Sequence, residues 1–210
     1  MKFYQSNNSP NSRRVGIYLA EKGISMAVVP VDLGAGEQFS EAYAAINPRR
    51  VVPALVLDDG SAIGEVPAII RYLEETHPDR PLLGSTPKEK AVITMWERRM
   101  EQEGFAAVME TVRNGAPGLK GRAIAGPHQY DQIPELVERG RRRIADFYGD
   151  LEARLAEVPF VAGDQFSVAD ITAVVAIDFA KKALSLEIPA KNAGSRRWYG
   201  SVASRPSMGQ

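Results

Sequence analysis

Three short stretches in the first third of the chain carry residue types suited to holding a ligand. Val52-Pro53 opens a β-like run, Ala54-Leu55-Val56-Leu57. A proline there cannot donate to a sheet ladder, and a tight strand entry often uses the cis isomer. That arrangement offers the N–H and C=O of Val52 to an extended ligand. Glu65 stands just before a helix that opens Val66-Pro67. Backbone N–H groups at such a start hold a carboxylate, and Glu65 can pair with an ammonium. Together they suit an α-amino acid head group. Ser9 lies where the first strand gives way to the first helix, the strand-end position at which open α/β sheets bind ligands. Each has a plainer reading: Ser9 as an N-cap, Pro53 as an ordinary strand-entry proline, Glu65 as a solvated acid.

Composition narrows the chemistry. There is no cysteine, so thiolate metal sites, disulfides and cysteine nucleophiles are excluded. Two histidines, His77 and His128, argue against a His-rich metal site. Lys plus Arg and Asp plus Glu are 26 each, a balance that gives no support to nucleic-acid binding. No apolar run approaches a membrane span and the first residues lack a signal-peptide core, so the expectation is a cytoplasmic protein with no membrane and no metal. The reactive group is then a hydroxyl, a carboxylate, an amine or a borrowed cofactor.

The elements that position these residues follow from pattern. Residues 1–78 read as β-α-β-α-β-β-α: strands at 2–5, 28–32, 54–57 and 61–63, and helices from Ser9-Pro10 to Gly23, over 39–46 and over 67–76. Asp59-Gly60 is a hairpin turn. This predicts a mixed four-stranded sheet covered by helices. A Pro-rich linker, 79–85, leads to an all-helical region, 86–210. Thr86-Pro87-Lys88-Glu89 is a capping box for a helix running to about Asn114-Gly115. A second long helix starts near Pro134 and runs to about Glu157, with Gly140 and Gly149 weakening it. A third opens at Ser167-Val168-Ala169-Asp170 and is apolar almost all round, as a buried central helix is.

Four of these segments, in this order and spacing, resemble the glutathione S-transferase family, and the resemblance covers essentially the whole chain. They are Ser9-Pro10-Asn11-Ser12-Arg13-Arg14-Val15, the run from Asn47-Pro48 to Val52-Pro53-Ala54-Leu55, the Glu65, Ala68, Ile69, Tyr72, Leu73 helix start, and Phe166-Ser167-Val168-Ala169-Asp170. The resemblance implies a thioredoxin-like domain, an all-helical second domain, a homodimer and a detoxifying transferase. It also implies glutathione as co-substrate, bound between Val52, Glu65 and the first helix. With no cysteine, the serine-type branches fit: Ser9 falls on the active serine of theta- and zeta-like members, Asn11 on an asparagine that contributes in bacterial and fungal members, and Ser12 is the second hydroxyl. A hydroxyl donating to sulfur at a helix N-terminus favours thiolate, which attacks a small hydrophobic electrophile held against the helical domain.

Two departures from the family pattern stand out. Val66 replaces a serine whose hydroxyl caps the helix and binds the γ-glutamyl carboxylate; one such bond to a charged group is worth about 1.5–3 kcal/mol, so either weaker glutathione binding or a γ-glutamyl end held differently is expected. Arg50 replaces a glycine, where it either reaches the glycyl carboxylate or is solvated. Phe105 and Met109 on the long helix are candidates for the electrophile pocket, while Trp96 reads as core or dimer packing. Ser167 and Asp170 read as a cap, the Arg139–Arg143 cluster as a solvated face, and the histidines as without a catalytic role. Relatives that isomerise maleyl compounds, dehalogenate small acids or reduce peroxides are alternatives, as is a non-catalytic binding protein of the starvation-protein type.

Overall fold

The computed structural model describes residues 1–209, which form two compact units. One comprises Met1–Arg80 with Ala125–His128; the other comprises Pro81–Ile124 and Gln129–Gly209.

The first unit is built on a sheet of order β2-β1-β3-β4: β1 Lys2–Gln5, β2 Ala27–Pro30, β3 Ala54–Val56 and β4 Ala62–Gly64. β1 runs parallel to β2 and antiparallel to β3, and β3–β4 is a hairpin. α1 (Pro10–Lys22), α2 (Glu41–Ile46) and α3 (Val66–Thr76) accompany it. α1 starts where the Ser9 oxygen accepts from Ser12 N–H at 3.2 Å and stops at Gly23, whose φ of 67° closes the C-cap. Val15, Ile17 and Tyr18 of α1 and Ile69 and Leu73 of α3 are fully buried. Each such aliphatic side chain contributes roughly 1.5–3 kcal/mol by leaving water.

The mixed sheet and the element order agree with the sequence reading; several boundaries do not. β2 spans 27–30 rather than 28–32, because its partner β1 ends at Gln5: the last pair is Gln5 with Pro30, closed by Val31 N–H donating to Gln5 O at 2.8 Å. The helix expected over 39–46 is a 3₁₀ turn at Glu37–Phe39 followed by α2; Ser40 separates them by capping Tyr43 N–H at 3.1 Å.

The second unit is helical: α4 Pro87–Arg99, α5 Ala106–Gly115, α6 Pro134–Glu157, α7 Val168–Leu184 and α8 Ala193–Ala203. Thr86 and Glu89 form the reciprocal capping box that opens α4. The single helix expected from Thr86 to about Gly115 is interrupted by a π-helical turn at Met100–Phe105. Its cause is tertiary. Arg143 of α6 donates to the Gln102 carbonyl at 2.6 Å, and Gly104 lies so close to the Phe147 ring that a Cβ would sit 2.7 Å from it. α7 is buried without a break from Val168 to Ile177. Asp170 ties its start together, accepting from Ser167 N–H and Val161 N–H at 2.9 Å and from Trp198 Nε1 at 2.8 Å. Trp96 is half-buried, with the guanidinium carbons of Arg154 and Arg99 at 4.4 and 4.9 Å from its ring centre.

Candidate active site

Sheet register brings the candidate ligand-holding segments to one end of the first unit. Gln5 pairs with Pro30, Tyr4 with Ala54, and Ala54 with Gly64. The exits of β1, β2 and β4 and the entry to β3 therefore share one edge of the sheet. Ser9 follows β1, Gln38 follows β2, Val52-Pro53 precedes β3 and Glu65 follows β4. α1 and α3 each begin directly after a strand exit, so their positive N-terminal ends lie at this same edge.

At the opening of α1, Ser9 is buried, and its oxygen accepts from Ser12 N–H while its proton is donated to no group among the described residues. Capping uses a lone pair and thiol activation uses the proton, so the two readings of Ser9 are compatible. The Asn11 carboxamide is half-buried, and its Oδ1 accepts from Arg14 Nη1 at 3.2 Å. Ser12 is differently employed. It is 1 % exposed, and its oxygen accepts from Ser6 N–H at 3.2 Å. It lines a groove of about 730 Å³ with Phe3, Ser6, Leu19 and Val28, a lining that includes none of Ser9, Asn11, Val52 or Glu65.

The Val52–Pro53 peptide bond is cis. Val52 precedes the ladder, which starts at Ala54, and among the described residues its N–H and C=O have no partner. The turn leading to it is clamped from below: Asn47 Nδ2 and Tyr43 OH both donate to Val51 O at 2.7 Å. Burial pushes the Tyr43 hydroxyl up to about 12, so it stays a donor at any physiological pH. Arg50 is half-buried in the left-handed region at φ 54°, the conformation that favours the glycine it replaces, and its N–H donates to Asn47 O at 2.8 Å.

Glu65 also has a positive φ, 66°, and its side chain is exposed at the head of α3. Its carbonyl takes up Ala68 N–H and Ile69 N–H, and Pro67 has no N–H, which leaves the N–H of Val66 as the donor of the first turn without a partner. The Val66 side chain is 3 % exposed and belongs to the interior. Backbone alone, not a side-chain hydroxyl, is available to a carboxylate here.

Phe105 and Met109 lie in the helical unit. Phe105 is 5 % exposed with its ring centre 6.2 Å from that of Phe179; Met109 is half-buried on α5. Sequence reasoning passed over Gln38, which is 6 % exposed with an Oε1 that has no hydrogen-bond partner. Only its place after the exit of β2 could have singled it out. The clamp by Tyr43 has no local pattern, whereas the Arg14 contact to Asn11 spans a three-residue helical step that spacing could have indicated. Among the described residues no group of three or more His, Asp or Glu is placed to hold a metal ion, and no helix is long and apolar enough to cross a membrane.

Residues 8–76 match the family model of the glutathione S-transferase N-terminal domain, and residues 134–201 match that of its C-terminal domain. The chain belongs to the glutathione S-transferase family. Glutathione S-transferase 2 of Saccharomyces cerevisiae is 35 % identical over 99 % of this chain and 88 % of its own length. The crystal structure of Gtt2 from Saccharomyces cerevisiae superposes with a TM-score of 0.89 at 34 % identity, covering 100 % of this chain and 99 % of that one. A maleylacetoacetate isomerase of Rattus norvegicus is 32 % identical over 80 % of this chain and 72 % of its own length. Family membership agrees with the thioredoxin-like first unit and the helical second.

Proposed function

We propose that this family member is a glutathione transferase in which Ser9 and Asn11 stabilise the thiolate of bound glutathione for attack on a small hydrophobic electrophile. The observation that carries the reading is the unpaired backbone of Val52 at the sheet edge from which α1 and α3 both start. In this reading the cysteinyl part of the tripeptide pairs with Val52. The γ-glutamyl carboxylate takes the Val66 N–H and its ammonium faces Glu65. Gln38 and Arg50 are assigned to the glycyl end.

The sulfur then lies at the opening of α1. A free thiol has a pKa of about 8.5, so little is ionised at neutral pH. A proton donated by Ser9, an N–H donated by Asn11 Nδ2 and the positive helix end each favour the charged form. A fall of ~2 units is worth about 2.7 kcal/mol. The thiol proton passes to solvent, a C–S bond forms at the electrophilic carbon, and a leaving group departs with the bonding pair. Phe105 and Met109 are assigned to the electrophile. We further assign the protein to the cytoplasm and to a homodimer, as the family resemblance and the neutral net charge suggest.

Similarity to a maleylacetoacetate isomerase favours one second reading, in which the same thiolate adds to a maleyl compound and is expelled again after bond rotation. Thiol stoichiometry separates the two: conjugation consumes one glutathione per turnover and isomerisation consumes none. Calorimetric titration with glutathione tests what both share. Saturable binding in the millimolar range or tighter is expected; no heat, with no depressed thiol pKa, overturns both and leaves a binding protein of the same fold.

A further inference from the structure

The structure assigns to Arg14 the role of a positioning residue: its guanidinium fixes which end of the Asn11 carboxamide faces the sulfur. This rests on the reading that the sulfur lies at the opening of α1. An asparagine amide has two faces of opposite character. Its nitrogen donates to a thiolate and stabilises it, whereas its oxygen repels it. The two ends are nearly alike in shape, so nothing intrinsic to Asn11 decides between them. Arg14 does. Its Nη1 donates to Asn11 Oδ1 at 3.2 Å, across the three-residue step that places side chains on one face of a helix. A guanidinium has donors only and keeps its proton at every accessible pH. It can therefore hold the amide oxygen but never the amide nitrogen. Nδ2, which has no partner among the described residues, is left as the outward donor.

Burial makes this a fixed constraint. Arg14 is 1 % exposed, the only arginine so buried among the described residues. A charged side chain taken out of water stays there only when held in place. Its neighbour Arg13, with the same charge, is half-buried and lines the groove shared with Ser12 instead. The adjacent arginines thus divide: one faces outward and one turns inward to the amide.

The test is the pKa of the thiol of bound glutathione, read from thiolate absorbance against pH in four proteins: wild type, Arg14→Met, Asn11→Ala and the double variant. Melting temperature is recorded alongside. The expected result is a thiol pKa raised by about 0.5–1 unit in Arg14→Met, with the double variant no higher than Asn11→Ala alone, because both act on one hydrogen bond. The matching loss in kcat/KM is about three- to tenfold below the wild-type thiol pKa, shrinking as pH rises past it. An unchanged thiol pKa with a lowered melting temperature makes Arg14 a packing residue and overturns the assignment. Additive shifts in the double variant overturn it as well. If Arg14→Met does not fold, Arg14→Gln, neutral but polar, carries the same cycle, and the same shifts support or overturn the role. A wild type that binds no glutathione removes the underlying reading, whereas a raised pKa in Asn11→Ala and none in the Arg14 variant removes this inference alone.

Discussion

The Tyr18 hydroxyl donates to the Glu74 carboxylate at 2.5 Å, joining α1 to α3 near the ends opposite their site-facing starts. Lys22 Nζ donates to the same carboxylate oxygen at 2.9 Å and also to Asp79 O at 2.6 Å and Arg80 O at 3.2 Å. Tyr18 is fully buried and Glu74 is nearly so; burial, reinforced by the carboxylate, pushes the Tyr18 hydroxyl far above its ordinary value. The two helices that start at the candidate site are thus tied at the far end by a buried, charged junction.

Removing the charge from that junction is expected to cost stability before it costs binding. Glu74→Gln leaves Lys22 without its carboxylate, a change that costs about 3 kcal/mol in buried pairs. For a chain of this length that is a fall of about 6–12 °C in Tm. The affinity for glutathione, measured below the new Tm, should change by less than about threefold, because the proposed site lies at the opposite helix ends. A thermal melt and a calorimetric titration of the same sample check both statements.

Asp170 supplies a pH dependence with a definite sign. Its carboxylate is fully buried, and burial raises its pKa to about 6 although Val161, Trp198 and Ser167 all donate to it. The folded-state value lies above the unfolded one, so this group's stabilising contribution is complete below about pH 4 and is lost as pH rises through about 6. Asparagine at this position does not titrate. The destabilisation caused by Asp170→Asn should therefore be larger at pH 5 than at pH 7.5, by about 1 kcal/mol, in denaturant titrations of wild type and variant at both pH values. A penalty that grows toward pH 7.5 would mean that the hydrogen bonds outweigh burial and that the carboxylate is held ionised.

The sequence shows these elements unequally, for physical reasons. Helix starts were legible because their signals are local: Ser9-Pro10, Thr86 with Glu89, and Ser167 with Asp170 each satisfy N–H groups within four residues. The buried α7 was legible because an apolar residue on every face leaves a helix nowhere to go but inward. The turn at Asp59-Gly60 showed for the same local reason, with Asp59 Oδ1 accepting from Ser61 N–H at 2.9 Å. The π-helical turn was not legible, because Gln102 and Gly104 are shaped by Arg143 and Phe147, about forty residues away in sequence. In the candidate site, Ser9, Val52 and Glu65 stood out by their places at strand ends. The burial of Val66 and Gln38 depends on tertiary neighbours that no spacing rule encodes, whereas the Asn11–Arg14 contact lies within one helical step.

The two glycines of α6 look alike in sequence and should answer alanine in opposite ways. A Cβ at Gly140 would lie 2.0 Å from Thr111 Oγ1, and Thr111 is fully buried on α5 with that oxygen donating to Ala107 O at 2.7 Å. Gly149 is exposed with nothing within 4 Å of the added carbon. Gly140→Ala is expected to destabilise by about 1–3 kcal/mol through overpacking. Gly149→Ala should stabilise by up to about 1 kcal/mol through helix propensity. Adding Thr111→Ala to Gly140→Ala should restore part of the loss, since it removes the clashing atom. Chemical denaturation of the three proteins decides the matter, and equal effects at the two glycines would show that helix–helix contact is not what distinguishes them.

Ser9 offers a way to separate the two uses of one hydroxyl. Its oxygen caps α1, and its proton has no acceptor among the described residues and is assigned by the proposal to sulfur. Ser9→Ala removes both, so the expected result is about 1 kcal/mol less stability together with a raised thiol pKa for bound glutathione. Ser9→Asp keeps an oxygen that accepts from Ser12 N–H, and aspartate caps as well as serine does. It has no proton to give at neutral pH, and its charge opposes a thiolate. Stability close to wild type combined with a thiol pKa at least as high as in Ser9→Ala is therefore expected, read by thermal melting and by thiolate absorbance against pH. If Ser9→Asp activates the thiol as well as wild type does, the proton of Ser9 is not what the sulfur uses, and activation passes to Asn11 and the helix end.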